Sequence, residues 1–118
     1  MDPHFDGVIF QTHAQELAKR LRRPFPPACV LDVRPRQQFA AGHIPGARHA
    51  SPEELSQGLP AGIEASTEFF VVGAGPEDAA IRPASQALRA AGARRVVEFS
   101  GGMSEWRAYG FDVLAEAA

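Results

Sequence analysis

Covalent catalysis needs a nucleophile held beside groups that activate it, and the 118-residue sequence supplies one thiol, Cys29. It lies in the apolar run Cys29-Val30-Leu31-Asp32-Val33. At about 3.3 Å per strand residue, the sulfur would sit roughly 10 Å behind Asp32. A cysteine in such a run is expected to be a buried small hydrophobe with a raised pKa, not a catalyst. Asp32 is expected to accept hydrogen bonds from loop N–H groups at the strand end. Arg34 either supports the adjacent loop through a carboxylate or contacts an anion, and support is the expectation. His43, between Gly42 and the stiff turn Ile44-Pro45-Gly46, is either a base or a histidine bridging backbone groups. Bridging is the expectation.

Glycines carry a second set of possibilities. Val71-Val72-Gly73-Ala74-Gly75-Pro76 has the opening of a dinucleotide-binding fingerprint, and Glu98 follows Gly75 by 23 residues, near where a ribose-binding acid would stand. The third glycine position, however, is Asp78, whose charged side chain obstructs helix packing and phosphate. Only 45 residues follow Gly73, too few for a nucleotide-binding sheet. A dinucleotide site through Gly73-Ala74-Gly75 is therefore the remote alternative. One cysteine forms no intramolecular disulfide, and four scattered histidines have no metal-ligand spacing. No metal and no cofactor is expected.

These residues must be positioned by the elements around them. Near-continuous apolar runs at Cys29–Val33, Phe69–Val72 and Val96–Phe99, with a weaker one at Val8–Phe10, predict strands covered on both faces. Thr12 and Gln15 have capping-box spacing before Ala14, Leu17, Ala18 and Leu21 on one helical face. Ser51 and Glu54 make a second box with Pro52 at the first helical position. A third helix carries Ala84, Ala87, Leu88 and Ala91 and stops at Gly92, with Pro83 expected as its first position. A last short helix is expected over about Met103–Tyr109. The alternation predicts an α/β fold with a mostly parallel sheet of about five strands, helices on both faces, and a site beyond the strand carboxyl ends. The chain is expected to be one domain over residues 1–118.

Two segments carry a family resemblance. Asp32-Val33-Arg34 followed by Gly42-His43-Ile44-Pro45-Gly46-Ala47, and Gly101-Gly102-Met103-Ser104-Glu105-Trp106 further on, resemble the two signatures of the rhodanese-like (sulfurtransferase) domain family. The resemblance covers about residues 8–113. It implies the rhodanese-like three-layer fold and, in active members, a cysteine opening a short loop after the Phe69–Val72 strand. Loop amides and a helix N-terminus there lower the thiol pKa and hold anionic substrates. The family's usual acid stands here as Gln38, so one ion pair to arginine is expected to be missing.

The corresponding stretch is Gly73-Ala74-Gly75-Pro76-Glu77-Asp78-Ala79-Ala80-Ile81-Arg82, about two residues longer than the family's loop. The cysteine position falls on Gly73 or, with the gap shifted, on Gly75, and no alignment puts a thiol there. Glu77 and Asp78 are read as helix-capping acids that compete with an incoming anion, while Arg82 is open to facing the site. A thiol restored at position 73 is expected to have its pKa depressed by the loop amides and the following helix, with Glu77 and Asp78 limiting the gain. The expectation is a binding or regulatory scaffold with a vestigial loop (Gly73, Ala74, Gly75, Pro76, Glu77, Asp78, Arg82) supported by Asp32, Arg34 and His43. The alternative is a thiosulfate-type sulfurtransferase. The expected partner is a small anion or a protein. A net charge of −2 without a basic block gives no expectation of nucleic acid or membrane. Absence of a signal-peptide pattern in MDPHFDG gives a cytoplasmic expectation.

Overall fold

Successive side chains of a strand point to opposite faces, and the three central strands are apolar on both. In the computed structural model, which describes residues 8–116, this alternation builds two separate cores. Met1–Gly7, read above for targeting signals, lie outside the described residues. The elements in chain order are β1 (Phe10–Gln11), α1 (Ala14–Leu21), β2 (Ala28–Asp32), α2 (Arg36–Ala41), β3 (Arg48–His49), α3 (Pro52–Leu55), β4 (Glu68–Val72), α4 (Ile81–Ala90), β5 (Arg95–Phe99) and α5 (Gly102–Ala108). Cys29, Leu31, Phe69, Val71 and Val96 pack with α3 and α4 on one face. Val30, Phe70, Val72, Val97 and Phe99 pack with α1 and α5 on the other. The result is the expected three-layer α/β fold.

All strand pairs are parallel, in the order β1-β5-β4-β2-β3. The chain steps outward from β2 to β3, then returns to the other side of β2 as β4. The topological switch point therefore lies between β2 and β4, where ligand clefts form in open parallel sheets. The loops leaving these strands are joined there by Val33 N–H donating to the Val72 carbonyl at 2.9 Å.

Several local expectations need correction. No side chain caps α1: the Thr12–Gln15 box does not form, His13 is the N-cap, and the Ala14 N–H donates to Glu105 Oε2 of α5 at 2.6 Å. A tertiary acid has replaced the local cap. The Ser51–Glu54 box does form, with Pro52 inside the first turn. Helix α4 begins at Ile81, so Pro83 is its third residue. Any of the first four positions lacks an intrahelical acceptor for its N–H, so proline is tolerated there as well. Gly92 follows α4 at φ +102° and ends it as expected. The first strand is Phe10–Gln11, shifted past Val8–Phe10, because its register is set by Val97 and Glu98 of β5. The edge strand β3 was not marked by any apolar run, since Arg48 and His49 pair on one side only.

Candidate functional site

The turn out of β4 opens with Gly73, which is buried, and runs over exposed Ala74, Pro76 and Glu77 to half-buried Asp78. Its shape is fixed from both sides. Amides at the start of α5 donate into it, Met103 N–H to the Gly73 carbonyl at 2.9 Å and Ser104 N–H to the Ala74 carbonyl at 3.0 Å. Gly102 makes this approach possible: at φ +61°, a Cβ there would stand 2.5 Å from the Gly73 carbonyl oxygen and 2.7 Å from Gly75 N. Only glycine fits a left-handed position with backbone pressed against it.

The interior of the loop holds a carboxylate. Asp78 Oδ2 accepts the Ala74 N–H at 2.9 Å, and Asp78 Oδ1 accepts the Ala80 N–H at 3.0 Å. The Asp78 N–H in turn donates to the Gly75 carbonyl at 3.1 Å. A Cβ built on Gly73 would lie 2.7 Å from Asp78 Oδ2 and 2.9 Å from Ile81. Glycine at 73 thus makes room for the carboxylate. A thiol restored at 73 would meet this carboxylate, which disfavours a thiolate, and the geometry gives a reason for the limit on activation expected from Asp78. Glu77 is exposed on the same turn and has no such inward contact.

Arg82 does not turn toward the loop. Its guanidinium pairs with Glu98 on β5, Nε to Oε2 at 2.9 Å and Nη2 to Oε1 at 3.1 Å. Gln11 Nε2 also donates to Glu98 Oε1, at 2.7 Å. Burial pushes the Glu98 carboxyl up, but hydrogen bonds from Arg82, Gln11 and Ser85 outweigh it and hold the group below the usual carboxylate range. Glu98 is buried and already holds three side-chain hydrogen bonds, so it does not stand open to a ribose as the dinucleotide alternative required.

Across the switch point, Asp32 and Arg34 are buried and form a two-pronged pair. Arg34 Nε and Nη2 reach Asp32 Oδ1 and Oδ2 at 2.9 and 2.7 Å, and the Arg34 N–H donates to Oδ1 at 3.1 Å. Arg34 Nη2 continues to the Gly42 carbonyl at 2.6 Å. Arg34 therefore finds its carboxylate in Asp32, two residues away, and with Gln38 where an acid was expected it needs no second one. His43 stacks on Phe39 with ring centroids 4.1 Å apart, and its Nδ1 meets the Phe39 carbonyl at 2.9 Å. Its backbone pairs with Leu114 in an antiparallel bridge. Cys29 is 5% exposed inside β2, and burial pushes its thiol up, with Arg48 opposing in part. Among the described residues, no group of three or more His, Cys, Asp or Glu is arranged to hold a metal ion.

Sequence reasoning missed two contributors. Glu105, seen only as part of a glycine-tryptophan signature, caps α1 from another helix. Asp78, read as a surface cap, faces into the loop, and its spacing from Gly73 across the Pro76 turn was the available signal.

A family model for the rhodanese-like domain matches residues 13–109. The crystal structure of the Alr3790 protein from Anabaena sp. is similar, with 34% identity over 91% of this chain and 94% of that chain and a TM-score of 0.79. The solution structure of the rhodanese-like domain of that Anabaena protein shares 35% identity over 89% of this chain and 78% of its own, with a TM-score of 0.75. A rhodanese-like domain protein from Staphylococcus aureus, 23% identical over 92% of this chain and 99% of that chain with a TM-score of 0.73, shares the fold. No curated protein matches.

Proposed function

Given that this chain belongs to the rhodanese-like domain family, we propose that it is a member without sulfurtransferase activity, a binding or regulatory scaffold whose loop after β4 is filled by its own carboxylate. Sulfur transfer in the family requires a thiolate that attacks a sulfane sulfur and carries it as a persulfide. The observation that carries the reading is Asp78 Oδ2 lying 2.7 Å from where a side chain on Gly73 would begin. Neither Gly73 nor Gly75 bears a nucleophile, and Cys29 is enclosed by β2 and its neighbours.

The same carboxylate opposes anion capture. Two loop N–H groups that would meet an oxyanion already have a charged acceptor, and Glu77 adds a second negative charge to the rim. No helix among the described residues is long and apolar enough to cross a membrane. The single free cysteine suits a cytoplasmic domain, where thiols stay reduced.

The test is thiosulfate:cyanide turnover with the wild-type chain and Cys29→Ser. Both should stay at the no-enzyme background. Turnover in the wild type that disappears in Cys29→Ser would overturn the reading and restore the sulfurtransferase alternative.

A further inference from the structure

An open sheet has two edges, and each presents N–H and C=O groups that another strand can take up. The edge strands of this sheet are β3 on one side and β1 on the other. The β3 edge is guarded. Its residues are exposed Arg48 and half-buried His49, and Pro45 and Pro52 stand three residues before and after the strand. Charge and proline are the usual means of keeping a second strand away. The β1 edge carries neither. Its run Val8-Ile9-Phe10-Gln11-Thr12 holds no charged residue, no proline and no glycine. Val, Ile, Phe and Thr are the residue types that strands favour.

The register shows which way the backbone groups of this run point. Phe10 lies beside Val97 and Gln11 beside Glu98, and the Thr12 N–H donates to the Glu98 carbonyl at 3.0 Å. Successive residues of a strand turn their N–H and C=O to opposite sides. Phe10 and Thr12 therefore face β5, while Ile9 and Gln11 turn these groups outward. Side chains alternate across the sheet in the same rhythm. Ile9 packs against the core shared with α3 and α4, and the Gln11 amide is held by Glu98 at 2.7 Å. Phe10, 40% exposed, is on the other face, where it lines the cleft between α1 and the sheet under the Arg95 guanidinium.

We propose that β1 pairs antiparallel with β1 of a second copy of this chain about a two-fold axis, joining two five-stranded sheets into one. The outward groups and the side chains agree on the register. With the axis at Phe10, Ile9 of each copy stands opposite Gln11 of the other, and the two exchange a pair of hydrogen bonds. The two Phe10 rings then take the closer, non-hydrogen-bonded position, and Val8 meets Thr12. Aromatic and β-branched pairs of this kind stabilise a sheet. Moving the axis to Gln11 would set Ile9 opposite His13, and moving it to Ile9 would set Gln11 opposite Gly7. The Phe10 register alone keeps the uncharged run paired with itself, as a self-complementary two-fold contact requires. None of its residues belongs to the loop after β4, so the inference stands whether or not that loop is silent.

The experiment is sedimentation equilibrium of the full chain from micromolar to millimolar concentration, with amide hydrogen exchange measured at both ends of that range. The mass should rise from one chain towards two. Exchange at the Ile9 and Gln11 amides should slow as it does so, while the Thr12 amide, already bonded to β5, stays unchanged. Phe10→Lys sets two ammonium groups opposite each other, and Val8→Lys lies outside the β1–β5 ladder. Each should raise the dissociation constant roughly tenfold or more and leave the circular dichroism of the folded chain intact. A mass of one chain at every concentration overturns the proposal, and growth beyond two chains overturns the two-fold pairing. A dimer that ignores both lysine variants, or that slows exchange elsewhere but not at Ile9 and Gln11, places the contact on another surface and overturns it as well.

Discussion

Gly73 and Asp78 depend on each other. The glycine lacks the atom that would meet Asp78 Oδ2, and the carboxylate satisfies the N–H groups of Ala74 and Ala80 around that space. Removing the carboxylate while keeping the glycine should leave the amides open to a solvent anion. Asp78→Ala is therefore expected to gain millimolar phosphate binding by calorimetry, where the wild type shows none. Gly73→Cys alone should be destabilised by about 1–3 kcal/mol through overpacking. Its thiol should react with iodoacetamide faster when combined with Asp78→Ala than alone. Equal rates in the single and double variants would mean that Asp78 does not govern the loop.

At the level of elements, the loop after β4 and the start of α5 act as one unit. Gly102 sits against the Gly73 carbonyl and Gly75 N, so the two α5 amides can reach the loop. In Gly102→Ala the new Cβ must take a left-handed backbone that disfavours it by about 1–2 kcal/mol, and it must push backbone aside as well. A loss of at least about 2 kcal/mol is expected, on the order of 8 °C in Tm. Alanine at 102 with an unchanged melt would show that this approach is not tight in solution.

Across the whole molecule, two glutamates, Glu98 buried and Glu68 half-buried, tie secondary elements together. Glu98 joins β5 to α4 and β1, and Glu68 joins β4 to α1 and β5. Both have folded pKa values below the ordinary glutamate value of about 4.3. The unfolded chain therefore takes up these protons more readily, so the stabilisation is complete above that value and is lost as pH falls through the folded pKa. Stability to urea should hold steady near neutrality and decline below about pH 4. Glu68→Gln should be less stable than wild type at neutral pH, with the gap closing as pH falls. A gap independent of pH would mean that packing alone, not the charge, is lost.

Fold class was legible because the apolar runs at 29–33, 69–72 and 96–99 are too dense for one-sided strands, and only a sheet covered on both faces buries them. The absence of a thiol after β4 was equally legible, since residue identity needs no coordinates. Pairing across the chain was not. Thr12 and Gln15 have the spacing of a cap, yet Glu105, 91 residues from Ala14, takes the N–H instead. Local spacing states what a side chain is able to reach, and packing then offers it a charged competitor. Arg82 and Asp78 make the same point in opposite directions, one drawn away from the loop by buried Glu98 and the other drawn into it by the space at Gly73. The sequence by itself determined the layers, the three central strands and the absence of a thiol after β4. Which charge fills the space beside Gly73 was decided only when the chain closed, because it depends on distances between residues that share no local pattern.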